Sequence, residues 1–211
     1  MVKGNLSVFI VLICLSLAID TKAQQNVSFG PTAGFGHAWM SNSGNAEYHP
    51  AGNFGVALTY SKHPHIGFGT EVKYSIEGGT TETGSTEIRN RLNYIRIPLK
   101  VMYFFGEFGD KVRPKLAVGP SFGFLVGGKR EVRNNDIVAS SVKATELFNS
   151  FDAGITATAG LNYRLIRNTW LVGDVNFYNG LNNVSDKIMT KSKNRNIGLN
   201  IGVNFGIGTA K

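Results

Sequence analysis

The chain has 211 residues, of which 42% are hydrophobic, with a formal net charge of +8 and a single cysteine. That length suits one domain, the lone cysteine excludes a disulfide framework, and the modest charge of an exported chain is a poor argument for nucleic acid. Mean hydropathy is close to zero, and past residue 23 no run of about 18 apolar residues offers a spanning helix.

Residues 1–23 read as a secretory signal peptide. Lys3 supplies the positive start, and Leu6 to Ile19 is an apolar run shorter than the roughly 20 residues of a spanning helix. Thr21-Lys22-Ala23 then places small residues before a cut between Ala23 and Gln24. Cys14 lies inside the apolar run, so the barrel-forming residues 24–211 carry no thiol.

Eight alternating segments follow. The third, Ile66 to Ile76, puts Ile66, Phe68, Val72, Tyr74 and Ile76 on one parity and Gly67, Gly69, Glu71, Lys73 and Ser75 on the other. Successive side chains of a strand point to opposite faces, so this is a ribbon with one apolar and one charged face. Its length matches a tilted strand crossing a bilayer. Before it come Val27 to Met40, with Phe29, Phe35 and Trp39 outward, and Asn53 to Ser61, with Phe54, Val56, Leu58 and Tyr60 outward. After it come Arg91 to Phe105, Pro114 to Val126, Phe151 to Leu165, Trp170 to Tyr178 and Asn196 to Phe205. In the last, Ile197, Leu199, Ile201, Val203 and Phe205 oppose Asn196, Gly198, Asn200, Gly202 and Asn204.

The connections alternate long and short. Long polar ones start near Ser41, Glu77, Gly127 and Asn179, and short ones near Lys62, Gly106 and Ile166. This asymmetry belongs to outer-membrane barrels, whose periplasmic turns are short and external loops long. The expected fold is therefore all-β, an eight-stranded antiparallel up-and-down transmembrane barrel in the outer membrane, with both termini periplasmic. Residues 77–90 and 127–150 are expected as loops, the second with a helical turn over Ala144 to Phe148. Pro31, Pro98 and Pro120 fall inside strands of a sheet with no edge, so bulges are expected there. The external loops are expected to be dispensable for closure, because the ladder satisfies the backbone on its own.

Charges on the inward parity form the candidate site: Glu71, Lys73, Glu77, Arg96, Lys100, Lys115, Asp152, Arg164 and Asp174. An eight-stranded barrel is just wide enough for side chains to fill, and unpaired buried charge is costly, so these groups are expected to pair and plug the lumen. A proton or ion path is the sharper alternative. Other motifs are weaker. Gly119-Pro120-Ser121-Phe122-Gly123 fits a nucleophile elbow, but apolar alternation runs through it where a strand-to-helix turn is needed. Gly123 to Lys129 mimics a phosphate loop, yet Arg130 stands at the magnesium-binding hydroxyl position. His63 and His65 flank Pro64 as two ligands without a third. Glu47, Tyr48 and His49, with Ser41 and Ser43 in the same external loop, could form a surface hydrolase site, but they read first as ordinary loop residues. No catalytic, metal or cofactor residue is assigned.

Three stretches resemble a known family. Leu92-Asn93-Tyr94-Ile95-Arg96-Ile97-Pro98-Leu99-Lys100, Gly119-Pro120-Ser121-Phe122-Gly123 and Asp174-Val175-Asn176-Phe177-Tyr178-Asn179-Gly180-Leu181-Asn182-Asn183 look like strands of the PorT-like outer-membrane β-barrel proteins of Bacteroidetes. The Ala23-Gln24 junction is similar too. The resemblance implies an eight-stranded barrel and makes Pro98 and Pro120 family features. It implies little about activity beyond a founding member's tie to a protein-secretion apparatus, and it carries no catalytic residue. The sequence thus points to a non-enzymatic, monomeric envelope barrel, with outer-membrane lipid and envelope or secretion proteins as partners and no nucleic acid. A small pore is the alternative, and a lipid-modifying or proteolytic barrel the third reading.

Overall fold

The computed structural model describes residues 26–41, 46–135, 137–185 and 191–207. The signal segment, with Ala23 and Gln24, lies outside them, as does Ser43. In chain order the elements are β1 (Val27–Met40), β2 (Ala46–Glu47), β3 (Pro50–Tyr60), β4 (Ile66–Thr83), β5 (Thr86–Phe104), β6 (Val112–Asn134), β7 (Ile137–Lys143), a single helical turn α1 (Ala144–Leu147), β8 (Phe151–Ile166), β9 (Thr169–Gly180) and β10 (Asn194–Ile207).

Eight of these strands close an antiparallel barrel in the order β1, β3, β4, β5, β6, β8, β9, β10 and back to β1. The closing ladder pairs Phe29 with Phe205, Ala33 with Ile201 and Phe35 with Leu199. The short strand β2 adds to β4, and β7 adds to β6.

The outer wall is apolar. Phe35 is 66% exposed and Phe54 63% exposed, values that make sense only where lipid replaces water around the sheet. Val56, Val72, Val101, Val118, Ile155, Val175 and Ile201 continue the exposed belt. Aromatic contacts frame it. On the side of the short turns the Tyr103 and Phe105 ring centroids lie 5.0 Å apart. On the opposite side Phe151 packs against Phe122 and Phe124, and Trp39 against Phe177.

The inner wall is polar along the middle and apolar at both ends. Met102, Phe104 and Ala117 cluster at the periplasmic end. Met40, Leu92, Tyr94, Leu125, Ala144, Phe148 and Val184 cluster at the external end.

Two expected loops are sheet. Strands β4 and β5 run on to Thr83 and Thr86 around a tight Gly84-Ser85 turn, and β6 continues to Asn134 before β7 returns alongside it. Above the bilayer neither face of a ribbon meets lipid, so the apolar alternation that marks a strand is lost while the ladder persists. Threonines 81, 83 and 86 suit a solvated strand. The result is a flap of β4, β5, β6 and β7, edged by the two-residue β2, standing out from one side of the barrel. The helical turn appears where expected, at Ala144–Leu147.

The prolines are accommodated without bulges. Register shifts occur at Asn93/Tyr94, Val132/Arg133 and Arg164/Ile166 instead. Pro31 pairs in register with Val56, Pro98 with Ser121 and Pro120 with Ile155. On the other side of each proline the ladder skips residues and resumes in the same register, because a missing N–H removes a bond to one neighbour alone. Gly119, just before Pro120, lets the next strand close in, since a Cβ there would sit 1.9 Å from the Leu99 carbonyl oxygen.

Candidate functional site

The inward parity of β4, β5, β6, β8 and β9 brings eight of the nine candidate charges into the lumen as ion pairs. Near the external end, Arg96 of β5 is 2% exposed and meets two carboxylates. Its Nε donates to Glu77 Oε1 at 2.6 Å and its Nη2 to Glu77 Oε2 at 2.7 Å. Nη2 also donates to Asp152 Oδ2 of β8 at 2.8 Å. Ser75 Oγ donates to Glu77 at 2.7 Å, and the Asn194 amide donates to the same carboxylate. The Tyr178 ring face lies 3.9 Å from the guanidinium carbon, with Tyr94 on another side at 5.2 Å. Arg suits this position because its planar fork meets one carboxylate with two bonds and still presents a face to an aromatic ring.

Lower down, Lys100 of β5 and Lys73 of β4 both pair with Glu71, the second at 3.1 Å. Lys115 of β6 pairs with Asp174 of β9 at 3.0 Å. Between the two charged layers Asn53 and Asn200 bond to each other, and Thr158 donates to Asn176 at 2.7 Å. Lys73, Arg96, Lys100 and Lys115 thus face Glu71, Glu77, Asp152 and Asp174, and the lumen balances to neutrality. Such a set avoids the penalty of a buried unpaired charge.

Voids of about 30 Å³ and about 20 Å³ lie beside the upper and lower layers. Each has room for one or two waters rather than for a continuous aqueous path.

Arg164 departs from the expectation. It donates to the Gly109 carbonyl at 2.6 Å and lies over the Trp170 ring, at the periplasmic mouth. Parity gave its direction, but its height along the barrel puts it beyond reach of the lumen carboxylates. Arg113 holds the same mouth, bonding the Pro64 carbonyl and lying over Phe104 and Phe108.

Tyr94, Tyr178 and Ser75 share the inward parity of the charges and were readable as members of the cluster. Asn194 was not, since the sequence places it in a polar connection.

The external end is closed by folded loops rather than by free ones. Phe148 and Val184, 1% and 0% exposed, drop onto Tyr94, Leu92 and Met40 above the Arg96 cluster. Backbone bonds tie the lid together: Asn149 N–H to the Val184 carbonyl at 2.8 Å, Val184 N–H to Ser192 at 2.9 Å, and Ser41 N–H to Lys193 at 2.8 Å. The external connections therefore contribute to the closed state.

The remaining motifs are dispersed. Ser121 is a buried residue inside β6 facing the lumen, with no elbow around it. His65 bonds the Phe104 carbonyl and approaches Glu107 at 3.5 Å. Ser41 Oγ accepts from Lys193 N–H, and exposed Tyr48 stacks on His37, whose other face meets Trp39. His49 is buried, with Nδ1 2.9 Å from Thr80 Oγ1 and its amide donating to His37.

Burial first, and then the charges of Arg89 and Arg91, lower the His49 pKa to about 4 from 6.5. The unfolded chain takes up this proton near pH 6.5 and the folded one only near pH 4. Between these values the unfolded state binds more protons, so the contribution is full above the window and falls as pH is lowered through it. Denaturant midpoints in detergent should drop over this range, and the drop should be smaller in His49→Gln. Equal slopes would show that another group carries the effect.

Residues 22–186 match the family described as the outer membrane protein beta-barrel domain. The chain belongs to that family. Solved outer-membrane β-barrels share its fold at low sequence identity. Neisserial surface protein A is 16% identical, with a TM-score of 0.54, covering 86% of this chain and 97% of the other. A major outer membrane protein of Thermus thermophilus is 15% identical, with a TM-score of 0.53 and coverages of 85% and 98%. OprG of Pseudomonas aeruginosa is 13% identical, with a TM-score of 0.50 and coverages of 90% and 100%. No curated protein matches the chain. As an outer-membrane β-barrel, the protein sits in the outer membrane with its short turns in the periplasm and its flap outside.

Proposed function

We propose that this barrel is a non-enzymatic structural and interaction component of the cell envelope, working as a single closed barrel through its external surface and periplasmic mouth. The observation that carries the reading is the neutral, ion-paired lumen beneath an apolar lid, which leaves the interior to hold the fold together rather than to conduct. The dispersal of Ser41, Tyr48, His49 and Ser121 supports a role without catalysis. The PorT-like strands make a secretion or envelope assembly the candidate partner, with outer-membrane lipid around the wall.

Planar-bilayer recording tests this reading against that of a small pore. The purified wild-type protein should show negligible conductance. A stable open channel would overturn it.

A further inference from the structure

The flap carries an arrangement of charge that the closed lumen does not use. Pairing across its strands sets Gly78 of β4 opposite Arg91 of β5, Arg91 opposite Lys129 of β6, and Lys129 opposite Lys143 of β7. Residues directly opposite in an antiparallel ladder share a face, with Cβ atoms about 5 Å apart. Three cations on adjacent strands therefore form one row, and Gly78 adds no side chain at its Arg91 end. Like charges placed directly opposite are destabilising on their own.

Nearby carboxylates relieve this at Lys129 alone. Glu131 pairs with both Lys129 and Arg133, and Glu87 pairs with Arg89. Among the described residues no carboxylate lies within ion-pair distance of Arg91 or Lys143. All three row members are exposed.

Height decides what the row meets. Arg91 has the same parity along β5 as the outward residues Ile95, Ile97 and Leu99, so the row points away from the barrel axis. Val126, 53% exposed in the lipid-facing belt, lies three residues below Lys129 on β6. At about 3.3 Å per residue, shortened by strand tilt, the row stands less than about 10 Å above the end of the lipid-facing belt on β6. That is the headgroup layer of the outer leaflet. With neighbouring strands about 4.8 Å apart, the row spans roughly 10 Å, room for more than one phosphate.

We propose that Arg91, Lys129 and Lys143 form a binding site for the phosphate groups of a phosphorylated lipid headgroup in the outer leaflet. The row supplies a guanidinium fork and two ammonium groups to oxygens that carry formal charge, and the anion relieves the repulsion built into the ladder. The site lies on the outside of the flap, so it rests on the membrane position of the barrel and not on the state of its lumen.

The full chain would be refolded into phosphatidylcholine nanodiscs doped with a diphosphorylated glycolipid, and bound glycolipid counted by native mass spectrometry. Wild type should retain it. The variant Arg91→Gln/Lys129→Gln/Lys143→Gln should lose about 100-fold in retention, from roughly a factor of five per cation near an anionic surface. The periplasmic control Lys62→Gln/Lys111→Gln/Arg167→Gln should retain it as wild type does. Heat-modifiable gel migration would check folding of each. Should the triple variant fail to fold, Arg91→Gln alone should show about a fivefold loss.

Unchanged retention in the variants of the row, or an equal loss in the periplasmic control, would overturn the proposal. Equal retention of the dephosphorylated glycolipid would do so as well. Displacement of the glycolipid by millimolar inorganic phosphate would mark a site for free anions and sink the lipid assignment.

Discussion

Arg96→Met should lower the unfolding free energy of the barrel by about 3–5 kcal/mol. Arg96 serves two carboxylates at once, and both Glu77 and Asp152 are fully buried. Without the guanidinium, two negative charges face each other across the lumen with water excluded by the lid. The penalty is that of the orphaned carboxylates more than of the lost bonds. Urea unfolding of the detergent-refolded protein, followed by tryptophan fluorescence, should show a lower midpoint at unchanged slope. Arg96→Met/Glu77→Gln/Asp152→Asn should recover more than half of the loss, because it removes the uncompensated charge along with its partner. A loss under about 1 kcal/mol for Arg96→Met, the size of a surface ion pair, would show that the cluster is solvated and does not plug the lumen.

How far the sequence reaches can be seen in this same cluster. Parity alone sends Glu71, Lys73, Glu77, Arg96, Lys100, Lys115, Asp152 and Asp174 inward, because a period of two is rigid along an unbroken strand. It fixes direction and leaves height open, which is why Arg164 shares the parity yet bonds at the periplasmic mouth. The flap was illegible for a related reason. Hydropathic alternation reports lipid on one face, and the ribbons that run past the lipid-facing belt meet none, so a paired ladder of polar residues reads as a loop. Pairing there rests on register inherited from the strands below, and the shift at Asn93/Tyr94 shows that even this register is adjusted on leaving the membrane.

The lid left a fainter mark, in Leu147-Phe148 and Val184 as apolar residues within polar connections. Their burial predicts a second large effect. Phe148→Ala removes a ring that is 1% exposed from contact with the apolar cluster at the external end, a truncation that costs about 3–5 kcal/mol in a packed core. The barrel ladder does not depend on that contact, so the loss should appear as local opening and not as unfolding. Amide exchange at Asn149, Val184 and Ser41, whose N–H groups hold the lid, should accelerate about 100-fold or more. Amides of Ile97 and Val118, inside the ladder, should keep their wild-type protection. Conductance should stay negligible, since the Arg96 cluster and the Lys100 and Lys115 layer still block the path beneath. If the ladder amides lose protection with those of the lid, then lid and barrel form one cooperative unit. If the lid amides are unmoved, Phe148 is not what holds it down.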